Sequence, residues 1–360
     1  MAKRFLLLLL TVLISVSYIS CGKAADTVVE QPTPTPEATT EDKITEPPAK
    51  EEKDEEAVTP EDKAPMSDFK FPAEGTRPFA VMIDNEGTKS LPQGGLDMAQ
   101  LIYEIIVEGG ETRLMPVFWD VDPKMIGPVR SSRHYFLDYA LEHDAIYVHF
   151  GWSPMAERDI SKLKVNNING VAYGGEIFWD LTKNKGNWQD SYTSMERIKG
   201  FTDKVKYRTS TEKGQVFTYN KCDMELVSGQ KAEKISIRYS NSYTCGFEYD
   251  SEKKVYKRFR KSEPHMERVS GKQLEAKNII IEGVNNYTIK GDTAGRQEVE
   301  TAGSGSGWFI TCGKTVKIKW SKASRTAPTK YTDENGNPVV LNPGLTWIQV
   351  LPLTGKVSME

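Results

Sequence analysis

Apolar residues fall in short runs along most of this chain, and the polar residues between them set the predicted elements. Phe79 to Ile83 is a strand-length run ending at Asp84-Asn85-Glu86-Gly87, a turn sequence. Leu101 to Val107 and Thr112 to Trp119 are two more runs, rich in β-branched and aromatic residues. Glu108-Gly109-Gly110-Glu111 joins them, which predicts a β-hairpin. Leu101 and Ile105 are four apart, so a helix over 97–107 is the alternative for the first run. Beyond the break at Gly127-Pro128, Ser131 to Glu142 has helical spacing. Phe136, Tyr139, Ala140 and His143 share one face, Asp138 and Glu142 lie on another, and Ser131 or Ser132 can cap the start. Ala145 to Phe150 predicts a strand cut off by Gly151. Pro154 suits the first turn of a helix running on to Leu163, and Thr193 to Val205 predicts another helix.

From about residue 214 the pattern changes. Ile235–Tyr239, Tyr243–Tyr249, Val255–Phe259, Asn278–Glu282, Gly307–Thr311 and Thr315–Trp320 are strand-like and separated by Gly, Asn and Ser. No repeat of fixed period is present. The predicted fold class is an α/β (α+β) N-terminal domain over 67–212, followed by a mainly-β C-terminal domain over 213–360.

The N-terminus follows neither pattern. Lys3 and Arg4 precede an apolar run from Phe5 to Ile14, then small and polar residues up to Cys21. The run is shorter than the about 20 apolar residues of a membrane span. Positive, apolar, small, then cysteine is the layout of a bacterial signal peptide with a lipid-attachment cysteine, Cys21. Tyr18 departs from the leucine usual three residues before that cysteine. Residues 22–66 hold 13 acidic residues, 5 lysines and 7 prolines, a net charge of −8. With almost no large apolar residues, this stretch predicts a disordered tether with a reach of roughly 40–150 Å. The expected location is the outer face of the cell membrane, with the membrane itself a partner through the lipid.

Of the chain's net −3, the tether contributes −8 and Lys3 with Arg4 +2, which leaves residues 67–360 at about +3. No long basic cluster is present, so nucleic acid is not an expected partner. Apart from Cys21 the cysteines are Cys222, Cys245 and Cys312, which allow at most one internal disulfide and contain no CxxC.

Polar chemistry concentrates in 104–152. Gly127-Pro128-Val129-Arg130-Ser131-Ser132-Arg133-His134 leads into the predicted helix, whose free N–H groups and two nearby arginines would suit a phosphate or carboxylate. The competing reading is that Arg130 and Arg133 pair with nearby carboxylates to hold loops. His149 lies near the end of a strand, where α/β sheets place ligands. His134 and Asp138 are one helical turn apart, but no HxxH or HExxH reinforces a metal, and no cofactor is expected. Glu104 and Glu108 are about 13 Å apart if on one strand, outside the range glycoside hydrolysis uses. Ser153 lacks the second glycine of a nucleophile elbow. Gly303-Ser304-Gly305-Ser306-Gly307 followed by Gly313-Lys314-Thr315 has the wrong spacing for a phosphate loop.

Three segments carry a resemblance: Val107-Glu108-Gly109-Gly110-Glu111-Thr112-Arg113, Gly127 to Arg133, and Asp144-Ala145-Ile146-Tyr147-Val148-His149. With Trp320-Ser321-Lys322, Pro328-Thr329 and Leu341-Asn342-Pro343-Gly344-Leu345-Thr346-Trp347-Ile348, they make the chain similar to the YerB-like family of bacterial lipoproteins over about 70–355. The resemblance implies two domains of unknown function and no established reaction. It adds weight to the arginine loops as a ligand surface. The expected function is a membrane-anchored extracytoplasmic lipoprotein that binds an anionic cell-wall polymer or envelope protein. The candidate ligand residues are Arg113, Arg130, Arg133 and His134, with Asp84, Glu108 and His149 nearby. The alternatives are an enzyme acting on cell-wall glycopolymer, with Asp84 or Glu108 as acid/base, and an assembly factor with no small ligand.

Overall fold

Strands covered on both faces read as near-continuous apolar runs, and Leu101–Ile106 and Thr346–Pro352, each buried along its whole length, lie side by side. The computed structural model describes residues 68–360 except 185, 186 and 188. The predicted signal segment, Cys21 and the tether lie outside the described residues. The N-terminal half supplies strands β1 (Phe79–Val81), β2 (Leu101–Ile106), β3 (Thr112–Phe118), β4 (Ile146–His149) and β5 (Asn167–Asn169). It also holds all four α-helices of the described residues: α1 (Phe136–Glu142), α2 (Pro154–Lys162), α3 (Gly170–Ile177) and α4 (Met195–Lys204). The C-terminal half is mostly β, with β6 (Lys234–Arg238), β7 (Thr244–Asp250), β8 (Val255–Arg260), β9 (Asn278–Val284), β10 (Gly303–Thr311), β11 (Lys314–Lys322), β12 (Thr346–Pro352) and β13 (Lys356–Met359). The architecture is two-domain, mixed α/β followed by β.

One ladder nevertheless crosses both halves. A twelve-stranded sheet contains the order β11-β10-β9-β12-β2-β3-β1-β4-β5. The junction is β12 beside β2, parallel, with Thr346 opposite Leu101 and Val350 opposite Ile105. Every residue of β12 is buried, so a late strand sits at the centre of the sheet. A six-stranded second sheet includes β8-β7-β6-β13. No helix among the described residues is long and apolar enough to cross a membrane.

Local chemistry accounts for the elements read from sequence. β2 and β3 form the expected hairpin around a single turn at Glu108–Gly110, in which Gly109 and Gly110 both have positive φ. Ser153 and Ser194 cap α2 and α4 by accepting from Ala156 and Arg197 N–H groups, and Pro154 opens α2. The glycine-rich run 303–307 is the first half of β10. Gly307 is required there, because a Cβ would come 1.9 Å from the Ile281 carbonyl oxygen on β9.

One predicted element is shorter than expected. The helix predicted from Ser131 begins only at Phe136, and Ser131 and Ser132 do not cap it. Residues 128–132 are extended because both of their edges are hydrogen bonded. Asp84 N donates to Pro128 O, Arg130 N to Met82 O, Phe150 N to Arg130 O and Ser132 N to Gly151 O along one edge; Val129 N donates to Ser191 O on the other. The helix-start anion pocket is therefore absent, and the arginines reach their positions from an extended segment.

Candidate functional site

β1, β4 and β5 are mutually parallel, and their carboxyl ends open at one edge of the sheet, the usual place for a ligand in such folds. Asp84 follows β1, Gly151-Trp152 follows β4, and Gly170-Val171 follows β5. β3 is antiparallel to β1 and begins at this end, so Arg113 lies opposite Asp84 in the ladder. The extended 128–132 segment brings Arg130 and Arg133 to the same place.

Five of the seven sequence-predicted ligand residues come together here. Arg130 Nε lies 3.1 Å from Asp84 Oδ2, and its Nη2 lies 3.9 Å from half-exposed Glu86. Arg133 grips Glu108 with two bonds, Nε to Oε1 at 2.6 Å and Nη2 to Oε2 at 2.8 Å. Asp84 is fully buried and also accepts from Gln189 Nε2 at 2.8 Å and from Glu86 N at 3.0 Å. Burial pushes the Glu108 carboxyl up, but the bonds and charge of Arg133 more than offset this and hold it below its ordinary range.

Arg113 differs from its two neighbours. It is 3 % exposed, and its one hydrogen bond to the described residues runs from Nη1 to the Ser131 carbonyl at 2.6 Å. Its Nε is buried without a partner. Burial first, and then the charges of Arg133 and Arg130, push it down to about 10. It is a buried cation whose neighbouring carboxylates are engaged by other arginines.

The two histidines lie to the side. His134 turns away to meet Glu298 at 3.0 Å. His149 is fully buried, with Nδ1 on the Gly151 carbonyl and Nε2 on Asn167 Oδ1, and burial lowers its pKa. Its ring backs Trp152 at 5.6 Å. Trp152 and the Ser131 hydroxyl belong to this surface; Ser131 lies in the segment the sequence points to, whereas Trp152 is not among the sequence-predicted residues, and an aromatic residue directly after a strand-ending glycine is the signal that points to it.

A second polar concentration also went unrecognised. Glu104, Arg258, Tyr243 and His265 form a buried network between the halves, to which Gln349 is joined through the Tyr239 hydroxyl. The signal was a charged or amide residue inside an apolar strand run, as with Glu104 within Ile102–Ile106 and Gln349 within Trp347–Leu351. Cys222, Cys245 and Cys312 are separate buried thiols.

Comparison with known proteins agrees with a two-domain architecture. Residues 69–208 match the model "Protein of unknown function (DUF3048) N-terminal domain", and residues 235–348 match its C-terminal counterpart. The chain is 30% identical over 306 residues to "Putative lipoprotein YerB" of Bacillus subtilis (strain 168), covering 83% of this chain and 88% of that one. The crystal structure of YerB from Bacillus subtilis superposes with a TM-score of 0.69 at 26% identity, over 80% of this chain and 100% of that chain. The chain belongs to the YerB-like DUF3048 family, with both of its domains present.

Proposed function

We propose that this protein is a lipid-anchored binding protein of the outer membrane face that takes an anionic group of a cell-wall polymer or envelope partner at the Arg113–Arg130–Arg133 cluster. The name of the Bacillus subtilis relative and the signal layout ending in Cys21 support the anchor. The observation that carries the binding reading is Arg113. A buried charge without an ionic partner is costly. Asp84 and Glu108 pair with the other two guanidiniums, so a ligand anion would supply the missing partner. A general acid must keep its proton near neutral pH, and Arg133 holds Glu108 in the opposite state, which favours binding over polymer cleavage.

The test is retention of purified cell-wall polymer by the protein and by an Arg113→Met variant. The variant should fold and lose retention; undiminished retention by a folded variant removes Arg113 as the anion site. Release of soluble fragments from any polymer would overturn the binding reading in favour of an enzyme.

A further inference from the structure

Beside the arginines the sheet edge carries a built aromatic shelf. Asn169 Oδ1 accepts from Gly151 N at 2.9 Å and from Val171 N at 3.1 Å, which clamps together the turns following β4 and β5. Gly151, at φ +79, lets these turns meet the arginine segment: a methyl group on it would lie 3.3 Å from Ser131 Oγ and 3.7 Å from Val171 Cγ2. Trp152 is bridged to Ser132, whose hydroxyl accepts from Tyr147 at 2.9 Å, and the Tyr147 phenol feels the charges of Arg113 and Arg133. The indole is backed by His149 yet stays 36 % exposed, and Val171 is 67 % exposed. The Ser131 hydroxyl makes no hydrogen bond to the described residues.

We infer that the anion bound at the arginine cluster is carried on a saccharide, whose ring stacks on Trp152 while a hydroxyl bonds to Ser131. This deepens the anion-binding reading of the same site and rests on it. An indole face is electron-rich and attracts the polarised C–H face of a pyranose. The exposed apolar groups carried by the two clamped turns, Trp152 and Val171, are short against an acyl chain but comparable to one sugar ring. An indole left open beside an unpaired guanidinium and an unused hydroxyl is the donor set of an acidic sugar. A bare phosphate would have no use for the indole.

The experiment uses the full chain and two fluorescent probes, a hexasaccharide of alternating glucuronate and N-acetylglucosamine and a linear polyphosphate of similar charge. Trp152→Ala should weaken the hexasaccharide roughly tenfold and polyphosphate by less than about twofold, with Trp152→Phe close to wild type. Arg113→Met should lose both probes. If Trp152→Ala leaves the hexasaccharide unchanged, weakens both probes equally, or if the wild type binds polyphosphate alone, the saccharide inference falls while the anion site stands. If Arg113→Met binds as wild type, or the wild type binds neither probe, the anion reading falls as well.

Discussion

Arg258 on β8 and Glu104 on β2 meet at 2.7 Å with neither side chain exposed, so an ion pair at the centre of the molecule joins the two halves of the chain. The guanidinium carbon lies 3.9 Å from the centre of the Trp347 ring and 5.1 Å from that of Phe247. Its Nε donates to His265 Nδ1 at 3.1 Å, which leaves His265 Nε2–H to donate to Gln93 at 2.7 Å. Asn85 Nδ2 donates to Thr112 and Tyr243, Thr112 in turn donates to Glu104, and Asn85 Oδ1 receives Arg260. Removing one member of a buried pair strands the other charge, at a cost of about 3–5 kcal/mol. Arg258→Met should therefore lower the denaturant midpoint by that equivalent. Together with Glu104→Gln it should cost less than the sum of the single changes, as a double-mutant cycle would read.

The continuous ladder has its own consequence. Residues 67–212 expressed alone leave the β2 edge without β12, and Glu104 and Asn85 without their arginine partners. This fragment should be insoluble or lack a cooperative transition, whereas 67–360 should unfold with coincident far-UV and near-UV circular dichroism. A cooperatively folding 67–212 fragment would contradict this.

Close backbone approach makes Gly307 intolerant. Gly307→Ala should cost about 3 kcal/mol or more, since the atom it meets is the Ile281 carbonyl and no rotamer change relieves it. Ser304→Ala, exposed two residues into the same strand, should stay within about 0.5 kcal/mol. Thermal denaturation of the two variants separates these outcomes.

Glu282 predicts a pH effect of definite sign. It lies buried between the Tyr139 and Tyr331 hydroxyls, each at 2.7 Å, and burial raises it from 4.5 to about 7 despite those bonds. Its contribution to stability is full below pH 4.5 and is lost as pH rises to about 7, roughly 3 kcal/mol in all. Burial also raises Asp138, to about 6, with the same sign. Buried His143, lowered to about 4, has the opposite sign. The difference between wild type and Glu282→Gln isolates Glu282: the variant should match wild type near pH 4 and exceed it at pH 8 in urea unfolding.

What could be read from the chain follows the range of each signal. The hairpin around Gly109-Gly110, the helices α2 and α4 and the β runs after 234 depend on neighbours within a few residues, and those were legible. The helix expected from Ser131 failed because two distant strands hold 128–132 extended, which local periodicity does not record. β8 shows the same limit. Its alternation buries Tyr256, Arg258 and Arg260 together and leaves Val255, Lys257 and Phe259 on the other, partly covered face.

By itself, the sequence determined most of the strands and helices and the arginine-rich segment. Only the tertiary structure decided which carboxylate each arginine meets, that Arg113 is the one left over, and that β12 closes the sheet against β2. The reason is physical. Propensity and periodicity act over a few residues, whereas Arg133 finds Glu108 across 25 positions and Arg258 finds Glu104 across 154. Charge partners at such separations are chosen by packing.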